Sequence, residues 1–225
     1  MSVSLSIVAE ILVFILLNNI KYYKIISYIN LAKEIYNKKT TKNNAGQVRT
    51  RLNPDILGDG KGKTTSALGT ALRACGNGFS VHLVQFMKNG AGDAEIEYPG
   101  EIKSLEKFNN FSFRRFGAGS WIIGKPKKHH IEKANEAFQY LISCFNKDYD
   151  IIIADEILYT VQLGLLAEQK VIDLIQNKPK NKELILTGSH NPFPSIFELA
   201  DLVTEIKKIK HPYDSGILAR KGIEY

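Results

Sequence analysis

Cysteine and tryptophan are scarce in this 225-residue sequence, which contains two of the first and one of the second. Cys75 and Cys144 fit no metal-binding spacing, and so few cysteines exclude a disulfide-stabilised secreted domain. We therefore expect a cytoplasmic protein in which both cysteines are small core residues on helices. No internal repeat or low-complexity segment follows residue 46.

A hydrophobic run long enough to cross a membrane is also missing. Residues 6–17 are apolar apart from Ser6 and Glu10, whereas a transmembrane helix needs about 20 apolar residues. The flanking residues do not resemble a signal peptide. Residues 20–36 then show apolar pairs at helical spacing between lysines. Three interpretations stay open for this arm: helices packed on the domain or on a partner subunit, which we favour, an interfacial membrane anchor, or an extension outside the functional fold.

Positive charge is unevenly distributed along the chain, which carries a net +7. Residues 1–50 contain seven Lys and Arg against two Glu, and residues 51–225 contain 23 basic against 21 acidic residues. The nearly balanced body lacks the interleaved basic and aromatic residues of a nucleic-acid surface, so no nucleic-acid partner is expected. We divide the chain into an N-terminal apolar, basic and helical extension with its linker, residues 1–45, and a main domain, residues 46–225.

The sequence does contain a glycine- and lysine-rich stretch, GDGKGKTT, that runs directly into a helical pattern. Its glycines permit a tight turn close to a ligand, and their amides together with the helix N-terminus form an anion site. A lysine for phosphate oxygens and a threonine hydroxyl for Mg²⁺ follow. The first glycine stands one residue later than in the usual phosphate-binding loop. The stretch predicts a nucleotide triphosphate site made by Gly58, Asp59, Gly60, Lys61, Gly62, Lys63, Thr64 and Thr65.

Strand and helix patterns alternate downstream of this loop. Strands are predicted at 80–86, 111–116, 150–154, 183–187 and 202–206, and helices at about 130–145, 168–176 and 193–200. The alternation predicts an α/β fold of the P-loop NTPase-like (RecA-like) type, with a mainly parallel sheet flanked by helices. Before the loop the pattern fails, because residues 47–52 make a poor apolar strand and Asn53-Pro54-Asp55 predicts a turn. Either the first strand is short and irregular, or the sequence before Gly58 has diverged or been rearranged.

Two acids, Asp155 and Glu156, stand at the carboxyl end of the most hydrophobic predicted strand. Ligands of parallel α/β sheets bind outside these strand ends, where the phosphate loop is also expected. A carboxylate there can hold Mg²⁺ or its water shell against nucleotide oxygens. The alternative is a helix-capping acid pair. The residues themselves do not decide which acid supports the metal.

Together these residues resemble the P-loop corrinoid adenosyltransferases, which make adenosylcobalamin from ATP and a reduced corrinoid. The resemblance covers about three quarters of the chain, and the shortened loop and the closing Gly-Ile-Glu-Tyr are traits of that family. The matching stretches are residues 58–65 with 69–74, Val84–Lys88, Trp121, Asp155-Glu156, Thr187-Gly188, Glu198–Asp201, Lys210–Ile217 and Ala219–Tyr225.

The resemblance implies transfer of the 5′-deoxyadenosyl group of ATP to the Co(I) centre of a reduced corrinoid, with release of triphosphate, in adenosylcobalamin biosynthesis or salvage. It also implies a homodimer and an electron donor, expected to be a flavoprotein, that reduces Co(II). Lys61, Lys63 and the loop amides would hold the triphosphate. Thr64 with Asp155 or Glu156 would place Mg²⁺, and Trp121 would press on the corrin face. The remaining implied ligand contacts are Gln85, His211 and Asp214. Gln85 could instead be a solvated loop residue, and His211 and Asp214 could simply fix their turn.

Two departures from the family pattern lie near this expected site. The family usually has Thr-Gly-Arg where this chain has Thr187-Gly188-Ser189-His190, so a phosphate- or corrinoid-facing arginine is either missing or replaced by His190. Members often have Gly-Phe-Thr-Trp where this chain has Ala118-Gly-Ser-Trp121. Because the missing Phe belongs to an aromatic pair that displaces the lower axial ligand, corrinoid precursors are expected to be handled better than complete cobalamin.

Two rival hypotheses remain on the residues alone. A generic phosphate-loop ATPase or kinase would use Glu156 to position water and Arg114, Arg115 or Arg220 as an arginine finger, and would release ADP. A nucleotide-gated nucleic-acid or membrane-surface protein would instead use the basic arm. Its binding would weaken steeply with salt and would depend on residues 1–45.

Overall fold

The computed structural model describes residues 52–88, 98–119, 122 and 124–224. Six strands in this part of the chain form one parallel sheet with the order β3-β2-β4-β5-β1-β6. The strands are β1 (Pro54–Leu57), β2 (Val81–Gln85), β3 (Phe111–Arg115), β4 (Ile151–Asp155), β5 (Glu183–Thr187) and β6 (Leu202–Glu205).

Helices cover both faces of this sheet. They are α1 (Lys63–Gly76), α2 (Gly100–Leu105), α3 (Lys128–Cys144), α4 (Ile157–Gln162), α5 (Glu168–Gln176) and α6 (Pro194–Phe197), and a 3₁₀ turn spans Pro212–Ser215. One hydrophobic core joins α1 and α2 to the sheet, and a second joins α3, α4, α5 and α6 to the opposite face. Strand β4 contributes isoleucines to both cores and is fully buried, and each such side chain stabilises the fold by about 1.5–3 kcal/mol.

The predicted α/β fold with a parallel sheet flanked by helices is confirmed. Strands β2 to β6 and helices α3 and α5 lie within one or two residues of their predicted positions. The helix predicted at 193–200 is shorter, at Pro194–Phe197, and the short helices α2 and α4 were not predicted. The boundary at residue 45 and the N-terminal extension lie outside the described residues, so both stay predictions. Among the described residues, no helix is long and apolar enough to span a membrane.

The predicted turn at Asn53-Pro54-Asp55 is wrong, because β1 begins at Pro54. Proline is tolerated as the first residue of a strand, where the missing N–H matters least. Asp55 pairs in register with Leu186 of β5 and Val203 of β6, so long-range pairing on both sides overrides the local turn preference. Strand β1 is short, but it lies between two other strands and leads straight into the glycine-rich loop.

The parallel arrangement brings the carboxyl ends of several strands to one edge of the sheet. Leu57, Gln85, Asp155 and Thr187 are the last residues of β1, β2, β4 and β5. The loop after β1 therefore meets the polar residues that end the neighbouring strands. This is the edge at which ligands of parallel α/β proteins bind.

Candidate active site

The glycine-rich loop, residues 58–62, lies between the turn after β5 and the segment after β6. The Gly58 amide donates to the Ser189 carbonyl at 3.0 Å, and the Gly60 amide donates to the Ile206 carbonyl at 2.8 Å. Gly58 and Gly62 have φ angles of 115° and 120°, a conformation that side-chain-bearing residues avoid. Helix α1 begins directly afterwards, so its free amide groups point toward the loop.

The loop glycines are required by the protein itself as well as by a ligand. A Cβ atom on Gly58 would lie 2.2 Å from the Ile206 carbonyl oxygen. A Cβ atom on Gly60 would lie 2.8 Å from the same oxygen and 2.9 Å from the Lys207 carbonyl carbon. Because these are backbone atoms, the clash cannot be relieved by a side-chain rotation.

We expect Gly60→Ala to lower the free energy of unfolding by about 2 kcal/mol or more, since the backbone after β6 must move to admit the methyl group. The matched control is Gly69→Ala on α1, where no neighbouring atom lies within 4 Å. That exposed helical change is expected to stabilise the protein by up to about 1 kcal/mol. Urea unfolding of both variants measures the contrast, and equal stability of the two would contradict the close approach.

Both loop lysines bind partners within the protein. Lys63 Nζ donates to the carbonyls of Gly58 and Gly60 at 2.7 and 3.1 Å. Lys61 Nζ lies 3.3 Å from Glu224 Oε1 and donates to the Ile223 carbonyl at 3.3 Å. Burial lowers the pKa of Lys63, because desolvation disfavours its charged form. An anion in place of the two carbonyls would stabilise that charge.

Asp155 is the centre of a hydrogen-bond cluster at the end of β4. Its side chain is fully buried, and Oδ1 accepts from the Thr64 hydroxyl at 2.9 Å and from the Thr187 hydroxyl at 2.6 Å. Oδ2 accepts from Gln85 Nε2 at 3.0 Å. The cluster therefore ties the first turn of α1 to the ends of β2, β4 and β5.

Glu156 adopts a left-handed conformation, with φ 65°, and begins α4. Its amide donates to the Thr187 hydroxyl at 3.0 Å, and its carboxylate lies 3.4 Å from Lys88 Nζ. Gly188 is packed against it, because a Cβ there would lie 3.1 Å from Glu156 Oε2 and 2.8 Å from the Tyr159 amide nitrogen. The second acid is thus held against the first by tight backbone packing.

The donor set at this edge suits Mg²⁺, a hard cation that takes oxygen ligands. Thr64 supplies a hydroxyl oxygen, and Asp155 and Glu156 supply carboxylates, next to the anion-binding loop. Within the described residues no cluster of three or more His, Cys, Asp and Glu side chains could hold a metal alone. A metal here would therefore share its coordination with water and a phosphate-bearing ligand.

A small, partly apolar cleft is lined by the turns after β2 and β3, the start of α3 and the segment after α4, including Met87, Phe116, Ile122, His130 and Leu165. Met87 directly precedes Lys88, which contacts both acids. Phe116 itself is buried in the core. Trp121, which we predict to face the corrinoid, lies outside the described residues.

A sequence model for ATP:corrinoid adenosyltransferases, described as BtuR/CobO/CobP, matches residues 56–225 of this chain. The chain belongs to this family. The matched range contains the glycine-rich loop, the acid pair and the C-terminal segment, so the geometry above is that of a corrinoid adenosyltransferase.

Curated relatives of this adenosyltransferase span a similar length. This chain is 31% identical to the corrinoid adenosyltransferase of Escherichia coli K12, over 76% of this chain and 83% of that protein. It is also 31% identical to the corrinoid adenosyltransferase of Pseudomonas aeruginosa, over 75% of this chain and 80% of that protein. The CobA corrinoid adenosyltransferase of Salmonella typhimurium is 30% identical, over 76% of this chain and 83% of that protein. Among solved structures, the EssC ATPases 2 and 3 of Geobacillus thermodenitrificans align with 76% of this chain and 35% of that chain, with 12% sequence identity and a TM-score of 0.43.

Several predicted site residues of this adenosyltransferase hold other parts of the site in place. Gln85 is buried and donates to Asp155. Asp59 accepts from the Lys208 amide at 3.0 Å, and Thr65 donates to Glu101 at 3.4 Å. His211 Nδ1 accepts from the Tyr213 amide at 3.1 Å, and Asp214 pairs with Lys208 at 3.1 Å. These last two contacts fix the 3₁₀ turn near the chain end.

The structure also places the residues that depart from the family pattern. Ser189 is buried with φ 65°, and its carbonyl receives the Gly58 amide. His190 is exposed and stacks on Tyr159 with ring centroids 5.2 Å apart. The replaced arginine position therefore lies directly beside the glycine-rich loop.

Sequence reasoning assigned no role in the site to three residues: Thr187, Lys208 and Glu224. Thr187 bridges Asp155 and the Glu156 amide, and Lys208 anchors the loop through Asp59. Glu224 accepts from Arg220 and faces Lys61. Thr187 and Glu224 lie within stretches that match the family, and that match is the signal that could have singled them out, whereas Lys208 lies between two such stretches.

Proposed function

We propose that this protein transfers the 5′-deoxyadenosyl group of ATP to the Co(I) centre of a reduced corrinoid. The electron pair of Co(I) forms the cobalt–carbon bond to C5′ of the ribose, while the C5′–O bond breaks and triphosphate leaves with its electrons. The observation that carries the proposal is the family match over residues 56–225, which includes both the phosphate loop and the acid pair.

The protein's own groups bind and orient the reactants in this reaction, because cobalt itself is the nucleophile. Lys63 would exchange the carbonyls of Gly58 and Gly60 for triphosphate oxygens, and the α1 N-terminus would add its amides. Lys61 would exchange Glu224 for the same anion. Such donors stabilise the negative charge that grows on the leaving group.

Thr64 and the acid pair Asp155 and Glu156 are the residues that would hold Mg²⁺. A bound Mg²⁺ neutralises charge on the phosphate oxygens. Asp155 orients the Thr64 hydroxyl by accepting a hydrogen bond from it at 2.9 Å, so the threonine oxygen presents its lone pairs to a cation. Gln85 and Thr187 keep that carboxylate in place.

The resemblance supports the remaining parts of the proposal. Trp121 would press on the corrin face, and the cleft lined by Met87 and Phe116 would border the corrinoid. We propose a homodimer in the cytoplasm, served by a flavoprotein that reduces Co(II). His211 and Asp214 would act by holding the C-terminal turn beside the loop.

The rival ATPase hypothesis is less well supported. Its candidate arginine fingers have partners, since Arg114 stacks over the Tyr140 ring at 4.5 Å and Arg220 binds Glu224 at 3.0 Å. Arg115 lies at the end of β3. The products still separate the two reactions, because an ATPase releases ADP and an adenosyltransferase releases triphosphate.

Anaerobic incubation of the full chain with ATP, Mg²⁺ and chemically reduced corrinoid tests the proposal. The expected result is a light-sensitive alkyl-corrin spectrum with one triphosphate released per corrinoid. Lys63→Met is the inactive control, and Lys107→Met, which replaces an exposed lysine that follows α2, is the matched active control. ADP without a cobalt–carbon product would overturn the proposal.

We expect Glu224→Gln to tighten ATP binding about two- to fivefold at low salt. Arg220 and its backbone amide lower the pKa of Glu224 to about 2, so the carboxylate is ionised and competes with triphosphate for Lys61. Partly exposed ion pairs of this kind are weak, which limits the gain. Calorimetric titration with ATP measures it, with Glu132→Gln on α3 as control. Weaker ATP binding would show that Glu224 orients Lys61 rather than competing for it.

A further inference from the structure

Lys88 lies among the three groups that would hold Mg²⁺. Its Nζ atom is 3.3 Å from Thr64 Oγ1, 3.4 Å from Glu156 Oε1 and 3.6 Å from Asp155 Oδ2. Backbone contacts fix its position, because the Lys88 amide donates to the Phe116 carbonyl at 2.8 Å and Met87 before it has a φ of 57°.

The electrostatics of this arrangement favour a charged ammonium group. Burial alone would lower the pKa of Lys88, but the charges of Asp155 and Glu156 outweigh it and raise the pKa above its ordinary value. The Asp155 side chain is fully buried while that of Lys88 is 36% exposed. A buried carboxylate requires a counter-charge, and the ammonium group supplies it with a route to solvent.

The Lys88 ammonium group and a magnesium ion cannot both bind between Thr64, Asp155 and Glu156. The distances of 3.3–3.6 Å suit an ammonium group, whereas Mg²⁺ binds oxygen at about 2.1 Å. Two cations in contact with the same oxygens would also repel each other strongly. Binding of the metal therefore requires the Lys88 side chain to leave.

We propose that Lys88 is the internal counter-ion of the Mg²⁺ site in the nucleotide-free protein and that a divalent cation displaces its ammonium group. The inference rests on the proposed function, since it concerns the same site. It makes Lys88 a positioning residue that keeps Thr64, Asp155 and Glu156 together before the metal arrives. Once displaced, the exposed ammonium group becomes available to an anion at the same edge of the sheet.

The test measures Mn²⁺ binding to nucleotide-free protein by electron paramagnetic resonance, together with thermal unfolding, and needs no corrinoid. Lys88→Met is expected to bind Mn²⁺ roughly tenfold more tightly than the unsubstituted protein, because no ammonium group has to be displaced. Without metal its Tm is expected to fall by several degrees, and Mn²⁺ or Mg²⁺ should restore it.

Two further variants keep the result interpretable. Lys88→Arg retains the charge, so its Tm and Mn²⁺ affinity should stay near the original values. Lys107→Met removes an exposed lysine and should change neither quantity.

Equal Mn²⁺ affinity of Lys88→Met and the unsubstituted protein, including no binding by either, would overturn the inference. So would weaker binding by Lys88→Met, which would make Lys88 a supporter of the metal rather than its competitor. A lower Tm of Lys88→Met that neither Mn²⁺ nor Mg²⁺ restores would also overturn the inference. If the Mn²⁺ effect is found but no adenosyl transfer occurs, only the proposed function fails.

Discussion

Asp55→Val is expected to raise the free energy of unfolding at pH 7 by about 3–5 kcal/mol. Asp55 is fully buried on β1, between β5 and β6, and neither carboxyl oxygen has a hydrogen-bond partner in the described part of the chain. Its pairing neighbours, Leu186 and Val203, are apolar. Valine has nearly the same size and shape, so the change removes an uncompensated polar group without opening a cavity.

The stability gain of Asp55→Val is expected to depend on pH in a specific way. Burial raises the pKa of Asp55 from its ordinary 3.8 to about 8. Between about pH 4 and pH 8 the folded protein therefore keeps a proton that the unfolded chain has released, and stability falls as the pH rises through this window. The difference between the two pKa values corresponds to roughly 6 kcal/mol over the whole window and to roughly 4 kcal/mol by pH 7.

Urea unfolding at pH 5, 7 and 8 measures both effects. The stability gain of Asp55→Val should grow with pH, from about 2 kcal/mol at pH 5 to its maximum near pH 8. Asp148→Val serves as the control, because Asp148 is exposed and its substitution should give no such trend. A gain that does not depend on pH would mean that the Asp55 carboxyl is solvated or paired.

Asp55 also illustrates which elements of the fold the sequence pattern does not predict. Strands β2, β4 and β5 and helix α5 were predicted because their apolar residues follow the period of the element they form. Pro54 and Asp55 have low strand propensity, and they form a strand here because they pair with β5 and β6. Helix α4 is six residues long and starts from a left-handed Glu156, so it offers too little periodicity to be recognised.

The site residues divide in the same way, into those that a local motif predicts and those that long-range contacts bring to the site. The loop, Thr64 and the acid pair were found because each is a contiguous motif whose chemistry can be read from neighbouring residues. Thr187, Lys208 and Glu224 act on residues that are 32, 149 and 163 positions away in the chain, as the contacts with Asp155, Asp59 and Lys61 show. Such partners are set by strand order and by the path of the chain after β6, which the sequence pattern does not specify.

Asp155→Asn is expected to lower kcat/KM for adenosyl transfer by about 100- to 1000-fold, the range seen when one preorganised polar group of a reaction centre is removed. An amide keeps the shape of the carboxylate but loses its charge, and its nitrogen cannot accept a hydrogen bond from Thr64, Thr187 or Gln85. The Mg²⁺ concentration that gives half-maximal rate should rise at least about tenfold, because the hydroxyl of Thr64 loses its orientation.

The comparison with Glu156→Gln decides which acid supports the metal. Lys88 is a cationic neighbour of both acids. The Glu156 carboxylate is 18% exposed, whereas the Asp155 carboxylate is fully buried and also holds three neutral donors from three different elements. A partly solvated charge contributes less than a buried one that organises its surroundings, so Glu156→Gln should reduce the rate less than about tenfold. Rates measured across Mg²⁺ concentrations, at a temperature where circular dichroism shows both variants folded, separate the two effects. A larger loss in Glu156→Gln than in Asp155→Asn would assign the metal to Glu156 and leave Asp155 as the residue that fastens α1 to the sheet.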